Sequence, residues 1–190
     1  MYDMNESTHT LNIAQTASAI AAGEVVAYPT ESCFGLGCDP TNIAAIEKII
    51  QLKARSANKG LIIIAASALQ AKEYVDVYDS PFQQEILNSW PGPNTWLLTP
   101  RLTVLPILRG NFSQLAMRVT AHPIASAICA EFGGAIVSTS ANLSGDTALV
   151  DEVAVARVFG KQIKIAEGDI GADCKPSTIR DGLTGEILRK

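Results

Sequence analysis

Five consecutive apolar residues, Leu61-Ile62-Ile63-Ile64-Ala65, constrain the fold of this chain more than any other feature. A β-branched run of this length, opened by Gly60, reads as a strand covered on both faces, because a half-exposed strand alternates apolar and polar residues. Such strands sit in sheets packed against helices, and helical periods do flank this one. Leu11, Ile13, Ala14, Ala17, Ile20 and Ala21 form one, with Thr8 or Thr10 as cap and Gly23 as stop. Val25 to Tyr28 then reads as a buried strand ended by Pro29. A second helix is expected from near Thr41, with Ile43, Ile46, Ile49 and Ile50 on its inner face. Ser67 caps a segment reaching Tyr74, and Pro81 opens a helix that ends before Pro91-Gly92-Pro93.

The alternation continues to the end. Thr95 to Leu98, Leu115 to Val119, Ala135 to Val137 and Ile163 to Ile165 read as strands; Pro123 to Phe132 and Asp151 to Phe159 read as helices. Thr178 to Arg180 and Glu186 to Leu188 bracket a turn and predict a hairpin. The expected fold class is therefore α/β: a single domain over residues 1–190, with a twisted mixed β-sheet flanked by helices. A chain of 190 residues, 47% hydrophobic and 18% charged, has the apolar material for one such core.

Several functions are excluded at this level. The longest apolar run falls far short of the ~20 residues that cross a bilayer. Asp3 and Glu6 stand where a secretory leader would be basic. Cys33, Cys38, Cys129 and Cys174 form no C-x-x-C pair, and His9 and His122 stand alone, so no metal site of the protein's own and a reducing, cytoplasmic setting are expected. With 15 basic and 19 acidic residues the net charge is -4, which gives no bulk attraction for nucleic acid, although a local basic groove stays open. No P-loop, G-x-S-x-G elbow or H-E-x-x-H is present, and Gly35-Leu36-Gly37-Cys38-Asp39-Pro40 puts proline where a dinucleotide loop needs glycine. His122, directly before Pro123, reads as a helix-start residue.

Three polar clusters follow or adjoin predicted strands. Tyr28-Pro29-Thr30-Glu31-Ser32, with Phe34-Gly35-Leu36-Gly37 behind it, suits either a small polar ligand beyond a strand end or a turn whose hydroxyls bond their own backbone. Lys53, Arg55 and Lys59 place three cations in seven residues, serving a helix C-terminus or a polyphosphate. Ser138-Thr139-Ser140-Ala141-Asn142-Leu143-Ser144-Gly145 is a run of donors and acceptors that reads as an elaborate cap or as ligand contact. Arg118, inside the apolar strand Leu115 to Val119, calls for an anionic partner.

These stretches, with Trp90-Pro91-Gly92-Pro93-Asn94-Thr95, His122-Pro123 and Ser177-Thr178-Ile179-Arg180-Asp181, resemble the YrdC/TsaC family of threonylcarbamoyl-adenylate synthases from about Ile13 to Arg189. The K-x-R of Lys53 and Arg55 and the S-x-N of Ser140 and Asn142 are the most specific parts. The resemblance implies a YrdC-like fold with a basic cleft. It implies a nucleotidyltransferase that joins L-threonine, bicarbonate or CO2, and ATP with Mg2+ into threonylcarbamoyl-AMP, releasing pyrophosphate. Partner proteins would transfer the threonylcarbamoyl group to tRNA beside the anticodon, and direct RNA binding is left open. By similarity, Lys53 and Arg55 are the catalytic pair; Arg55, Lys59, Ser140 and Arg189 bind ATP; Thr30, Ser32, Asn142 and Ser177 serve threonine; and Arg118 meets an anion. The sequence departs from the family where Ser56 follows Arg55 in place of proline and Lys59-Gly60 fills the later Asn-Pro position. Two rival readings are an RNA-binding relative without catalysis and a carbamoyl-adenylating domain of the hydrogenase-maturation type.

Overall fold

The structure, a computed structural model, describes residues 10–172 and 175–190. Asp3, Glu6, Thr8, His9 and Cys174 lie outside the described residues. Ten strands form one sheet: β1 (Thr10–Leu11), β2 (Val26–Pro29), β3 (Phe34–Gly37), β4 (Ile62–Ala65), β5 (Asn94–Leu98), β6 (Leu115–Val119), β7 (Ile136–Ser140), β8 (Lys164–Ala166), β9 (Thr178–Asp181) and β10 (Ile187–Arg189). Seven helices accompany them: α1 (Ile13–Ala21), α2 (Ile43–Leu52), α3 (Ala68–Ala71), α4 (Gln83–Ser89), α5 (Pro106–Arg109), α6 (Pro123–Phe132) and α7 (Glu152–Phe159). The strand order is β1-β8-β2-β3-β7-β4-β6-β5-β9-β10. β1/β8, β8/β2, β4/β6 and β5/β9 pair parallel, and the other neighbours antiparallel, so the sheet is mixed.

Local chemistry sets the element ends. α1 is capped by Asn12, not by a threonine: Asn12 Oδ1 accepts from the Gln15 N–H at 2.9 Å and Gln15 Oε1 accepts from the Asn12 N–H at 3.0 Å. This reciprocal box satisfies two donors that no helix can satisfy internally. Thr10 is instead drawn into β1 by parallel pairing with Ile165. The segment capped by Ser67 stops at Ala71, short of Tyr74, and α4 begins at Gln83, two residues after Pro81. His122 is the N-cap of α6, its Nδ1 accepting from the Ala125 N–H, and Gly133 ends that helix at a left-handed φ of +80°.

β3 was not expected as a strand, and its glycines explain it. A Cβ on Gly37 would lie 2.5 Å from the Val137 carbonyl oxygen and 2.6 Å from the Tyr28 ring. The bare backbone lets β3 slot between β2 and β7 with Tyr28 laid across it, the phenol donating to Val137 O at 3.2 Å.

The sheet has two unlike faces. Residues Phe34, Leu36, Ile63, Ala65, Met117, Val119 and Val137 belong to the larger core, which includes Ile46 and Ile49 of α2. On the other face, Val26, Tyr28, Ile64 and Ile136 pack with Ile20 of α1 and Ala125 and Ile128 of α6. Those two helices cover only part of that face. Along the rest, Leu97, Ala116, Ile62 and Ser138 pair in register across β5, β6, β4 and β7, forming one straight row. Ile62, Leu97 and Ala116 are only half-buried, so the strand expected to be covered on both sides leaves one side chain facing open space.

Candidate active site

That row is the floor of a cavity of about 720 Å³, within the ordinary range for a small-molecule site. The site therefore lies on an uncovered stretch of sheet face, whereas the sequence pointed to positions beyond the strand ends. The polar clusters of the sequence form its walls. Thr30 and Ser32 come from the β2–β3 turn, Arg55 and Lys59 from the α2–β4 loop, Ser140 and Asn142 from the end of β7, and Ser177 and Arg189 from β9 and β10 and their approach. Arg118 of β6 lines the floor. Lys53 alone among the expected residues does not line it.

The reason lies in its hydrogen bonds. The Lys53 ammonium is buried and donates to Ser140 O at 2.5 Å, Asn142 O at 2.8 Å and Asn142 Oδ1 at 3.1 Å. An ammonium has three protons, so none is left for a phosphate. Burial, then the Arg55 charge, pulls this group down to about 8, while the three acceptors hold it protonated. In this arrangement the ammonium expected to be catalytic is engaged in positioning the S-x-N loop. The Lys53 carbonyl accepts from the Ser144 N–H, a second latch on the same loop.

Asn142 is likewise engaged within its own loop. Its Oδ1 accepts from Lys53 and from Ser140 Oγ at 2.6 Å, and its Nδ2 donates to Leu143 O and Asp146 O, both at 2.8 Å. Every hydrogen on the amide is engaged within the loop, so threonine recognition cannot fall to its N–H groups in this arrangement. The loop is held by these side-chain hydrogen bonds and forms a wall of the cavity.

The remaining expected residues do face the cavity. Arg55 Nη2 donates to Gly60 O at 2.9 Å, which fixes the guanidinium along the loop and leaves other N–H groups free. Lys59 is exposed. Thr30 Oγ1 donates to Cys33 O at 2.6 Å, closing the β2–β3 turn while keeping its oxygen lone pairs, and Ser32 Oγ lies 4.0 Å from Cys33 Sγ. Ser177 Oγ lies 2.8 Å from Thr95 Oγ1 and accepts from Arg189 Nη2 at 3.2 Å. Arg189 also grips Ser177 O through Nε and Nη2, at 3.2 and 2.8 Å. Burial and then the Arg118 charge hold Arg189 below its ordinary range, which marks how near these two cations lie.

Arg118 meets its anion inside the protein. Its Nη1 lies 3.1 Å from Glu31 Oε2, both side chains being about nine-tenths buried. Glu31 Oε1 accepts from Thr120 Oγ1 at 2.8 Å and from the Ala121 N–H at 3.2 Å. Burial pushes the Glu31 carboxyl up, but Arg118 and these donors outweigh it and hold it below the usual range. Arg118 Nε is buried without a hydrogen-bond partner, and the residue lines the cavity. Glu31 was visible in the sequence as part of its cluster, but its partnership with a residue 87 positions away was not. Arg109 also lines the cavity and was not among the expected residues, because the short helix α5 that carries it was not anticipated.

No group of three or more potential metal ligands occurs among the described residues, and no helix there is long and apolar enough to cross a membrane. Asp146 is the carboxylate on the cavity wall.

Residues 18–190 match the Sua5/YciO/YrdC family model, described as "Telomere recombination". The threonylcarbamoyl-AMP synthase of Methylococcus capsulatus is 47% identical over 91% of this chain and 94% of its own. The protein of the same name from Nitrosococcus oceani is 48% identical over the same shares. Among solved structures, P. abyssi Sua5 complexed with L-threonine superimposes with a TM-score of 0.82 at 32% identity, covering 89% of this chain and 50% of that one. This chain thus spans about half of that protein and nearly all of its bacterial relatives. With the family model covering most of the chain and the bacterial relatives matching nearly end to end, the chain belongs to the Sua5/YciO/YrdC family.

Proposed function

We propose that this protein is a threonylcarbamoyl-AMP synthase, a nucleotidyltransferase that joins L-threonine, bicarbonate or CO2, and ATP and releases pyrophosphate. The observation that carries the reading is a cavity whose walls hold Arg55, Lys59 and Arg189 with no carboxylate partner among the described residues, beside a wall of hydroxyls. Support comes from the names of relatives 47% and 48% identical to it and from the P. abyssi protein, whose structure contains L-threonine.

The chemistry suits these groups. The threonine nitrogen bonds to the carbon of CO2 and loses a proton, giving a carbamate. A carbamate oxygen then bonds to the α-phosphorus as the bond from that phosphorus to the bridging oxygen breaks, its electron pair leaving with pyrophosphate. The carbamate and the triphosphate that meet in the second step are both anionic, so the protein's task is to bring them together and neutralise charge. Arg55, Lys59 and Arg189 would hold the phosphates, beside the wall that Ser140 and Asn142 form. Thr30, Ser32 and Ser177 would line the threonine side, and Arg118 would receive a carboxylate or carbamate. Lys53 and Asn142 hold the loop that presents Ser140.

Mg2+ would accompany ATP, offsetting phosphate charge. The donor set fits this mode, since Mg2+ in nucleotide sites takes one or two carboxylates plus phosphate oxygens, and Asp146 is the carboxylate the wall offers. In this reading the product passes to partner proteins that modify tRNA, in the cytoplasm.

The test is pyrophosphate release from ATP and Mg2+ in bicarbonate buffer, with and without L-threonine. Release that requires both threonine and bicarbonate is expected. Folded protein that shows none overturns the assignment.

A further inference from the structure

Arg109 closes α5 and has no part in the roles assigned above. Its segment is locked against the loop that carries Arg55 and Lys59. The Leu61 N–H donates to Leu108 O at 2.7 Å, and the Asn111 N–H donates to Asn58 O at 3.2 Å. Two glycines make this approach possible. Gly60 and Gly110 have φ of +59° and +58°, a region side chains disfavour. A Cβ on Gly110 would lie 2.5 Å from Asn58 O, and one on Gly60 would lie 3.0 Å from Arg109 O. Backbone meets backbone here, and the effect is to bring a third cation to a wall that already holds two.

Three arginines have a carboxylate partner among the described residues. Arg101 pairs with Asp76, Arg118 with Glu31, and Arg180 lies within ion-pair distance of Glu85. Arg55 and Arg109, on this wall, have no carboxylate partner among the described residues. Arg109 makes one hydrogen bond, from Nη1 to Phe112 O at 3.1 Å, which leaves most of its five N–H donors uncommitted. Like charges held close by a fixed backbone repel one another unless an anion lies between them. A planar guanidinium matches phosphate oxygens two at a time.

Direction along the loop selects which phosphate. The Lys53 end is bonded to the Ser140–Asn142 wall, and the Gly60 end rests on Arg109. A triphosphate lying along the loop with its α-phosphorus near Ser140 sends its β- and γ-phosphates toward Arg109. We propose that Arg109 grips the departing pyrophosphate end of ATP, a role that rests on the site being the nucleotide site described above. As the bond to the α-phosphorus breaks, its electron pair stays on the bridging oxygen that leaves with pyrophosphate, and Arg109 offsets the charge that this end gains.

The experiment measures binding of inorganic pyrophosphate, with Mg2+ and without threonine, by titration calorimetry on the wild-type protein and on Arg109→Gln and Arg109→Lys. Thermal melts confirm that each is folded. Pyrophosphate affinity falls about tenfold in Arg109→Gln and less in Arg109→Lys. In turnover, kcat/KM for ATP falls about tenfold while KM for threonine is unchanged. Arg109→Gln protein that binds pyrophosphate as tightly as wild type overturns the assignment. If Arg109→Gln does not fold, Arg109→Met is read by the same criterion. Wild-type protein that binds pyrophosphate but releases none in a threonine-dependent way overturns the proposed function, and the affinity comparison still decides the role of Arg109. Wild-type protein that binds no pyrophosphate overturns the assignment.

Discussion

Replacing Arg118 by methionine keeps the volume of the side chain and removes its charge, which leaves Glu31 as a lone carboxylate about nine-tenths buried. Removing one partner of a buried pair typically costs ~3–5 kcal/mol, because the remaining charge loses its compensation. For a chain of this size each kcal/mol moves the melting midpoint by ~2–4 °C, so the variant should melt roughly 6–20 °C lower at neutral pH. The pH profile adds a sign that a packing defect would not reproduce. In the wild type Glu31 titrates below its ordinary value. Its contribution is therefore present above that value and is lost as pH falls through the folded-state pKa. Without Arg118, burial dominates and lifts the folded pKa above the unfolded one. The folded state then binds the proton first, and the variant gains stability as pH falls from 7 toward 5. Arg118→Met with Glu31→Gln removes both charges and should recover at least half of the loss. The assay is thermal unfolding from pH 4 to 8 without substrates. An Arg118→Met protein that melts within 2 °C of wild type, or loses stability on acidification as wild type does, refutes the account of this pair.

Lys53→Met should lower threonine-dependent pyrophosphate release at least tenfold and speed amide hydrogen exchange across residues 140–146, the segment the ammonium and its backbone hold. Loss of activity with exchange unchanged there would return Lys53 to direct substrate contact. Arg55→Ala should cut the same activity at least tenfold and shift the melting midpoint by only a few degrees, since it gives up one good hydrogen bond, to Gly60 O. An Arg55→Ala protein that unfolds would make this arginine structural.

The elements most legible in the sequence were those with unambiguous local signals. β6 and α6 run over the residues expected, because an apolar run broken only by Arg118 and a proline-to-glycine frame are strong local signals. β3 was opaque for the opposite reason: Gly35 and Gly37 look like loop formers until Tyr28 and Val137 are seen pressed against them. β7 continues to Ser140, past the expected Val137, because Thr139 and Ser140 pair with Leu36 and Gly35 of that unanticipated strand. At the site, residue types and clusters were readable, and so was their approximate assembly. Which polar atoms are consumed internally was not readable, because Lys53 reaches acceptors 87 and 89 positions away and Glu31 reaches a hydroxyl 89 positions away. Such bonds follow from strand order alone.

The floor of the cavity, Leu97-Ala116-Ile62-Ser138, draws one residue from each of four strands that are scattered along the chain. The successive pair β5 and β6 brings only Leu97 and Ala116 together, and the other half needs β4 and β7. A ligand of this floor recognises the finished sheet and nothing earlier on the folding route, so its stabilisation falls on the rate of unfolding and leaves the rate of folding alone. Substrate then acts as a clasp on the completed protein, guarding the native state without helping to build it.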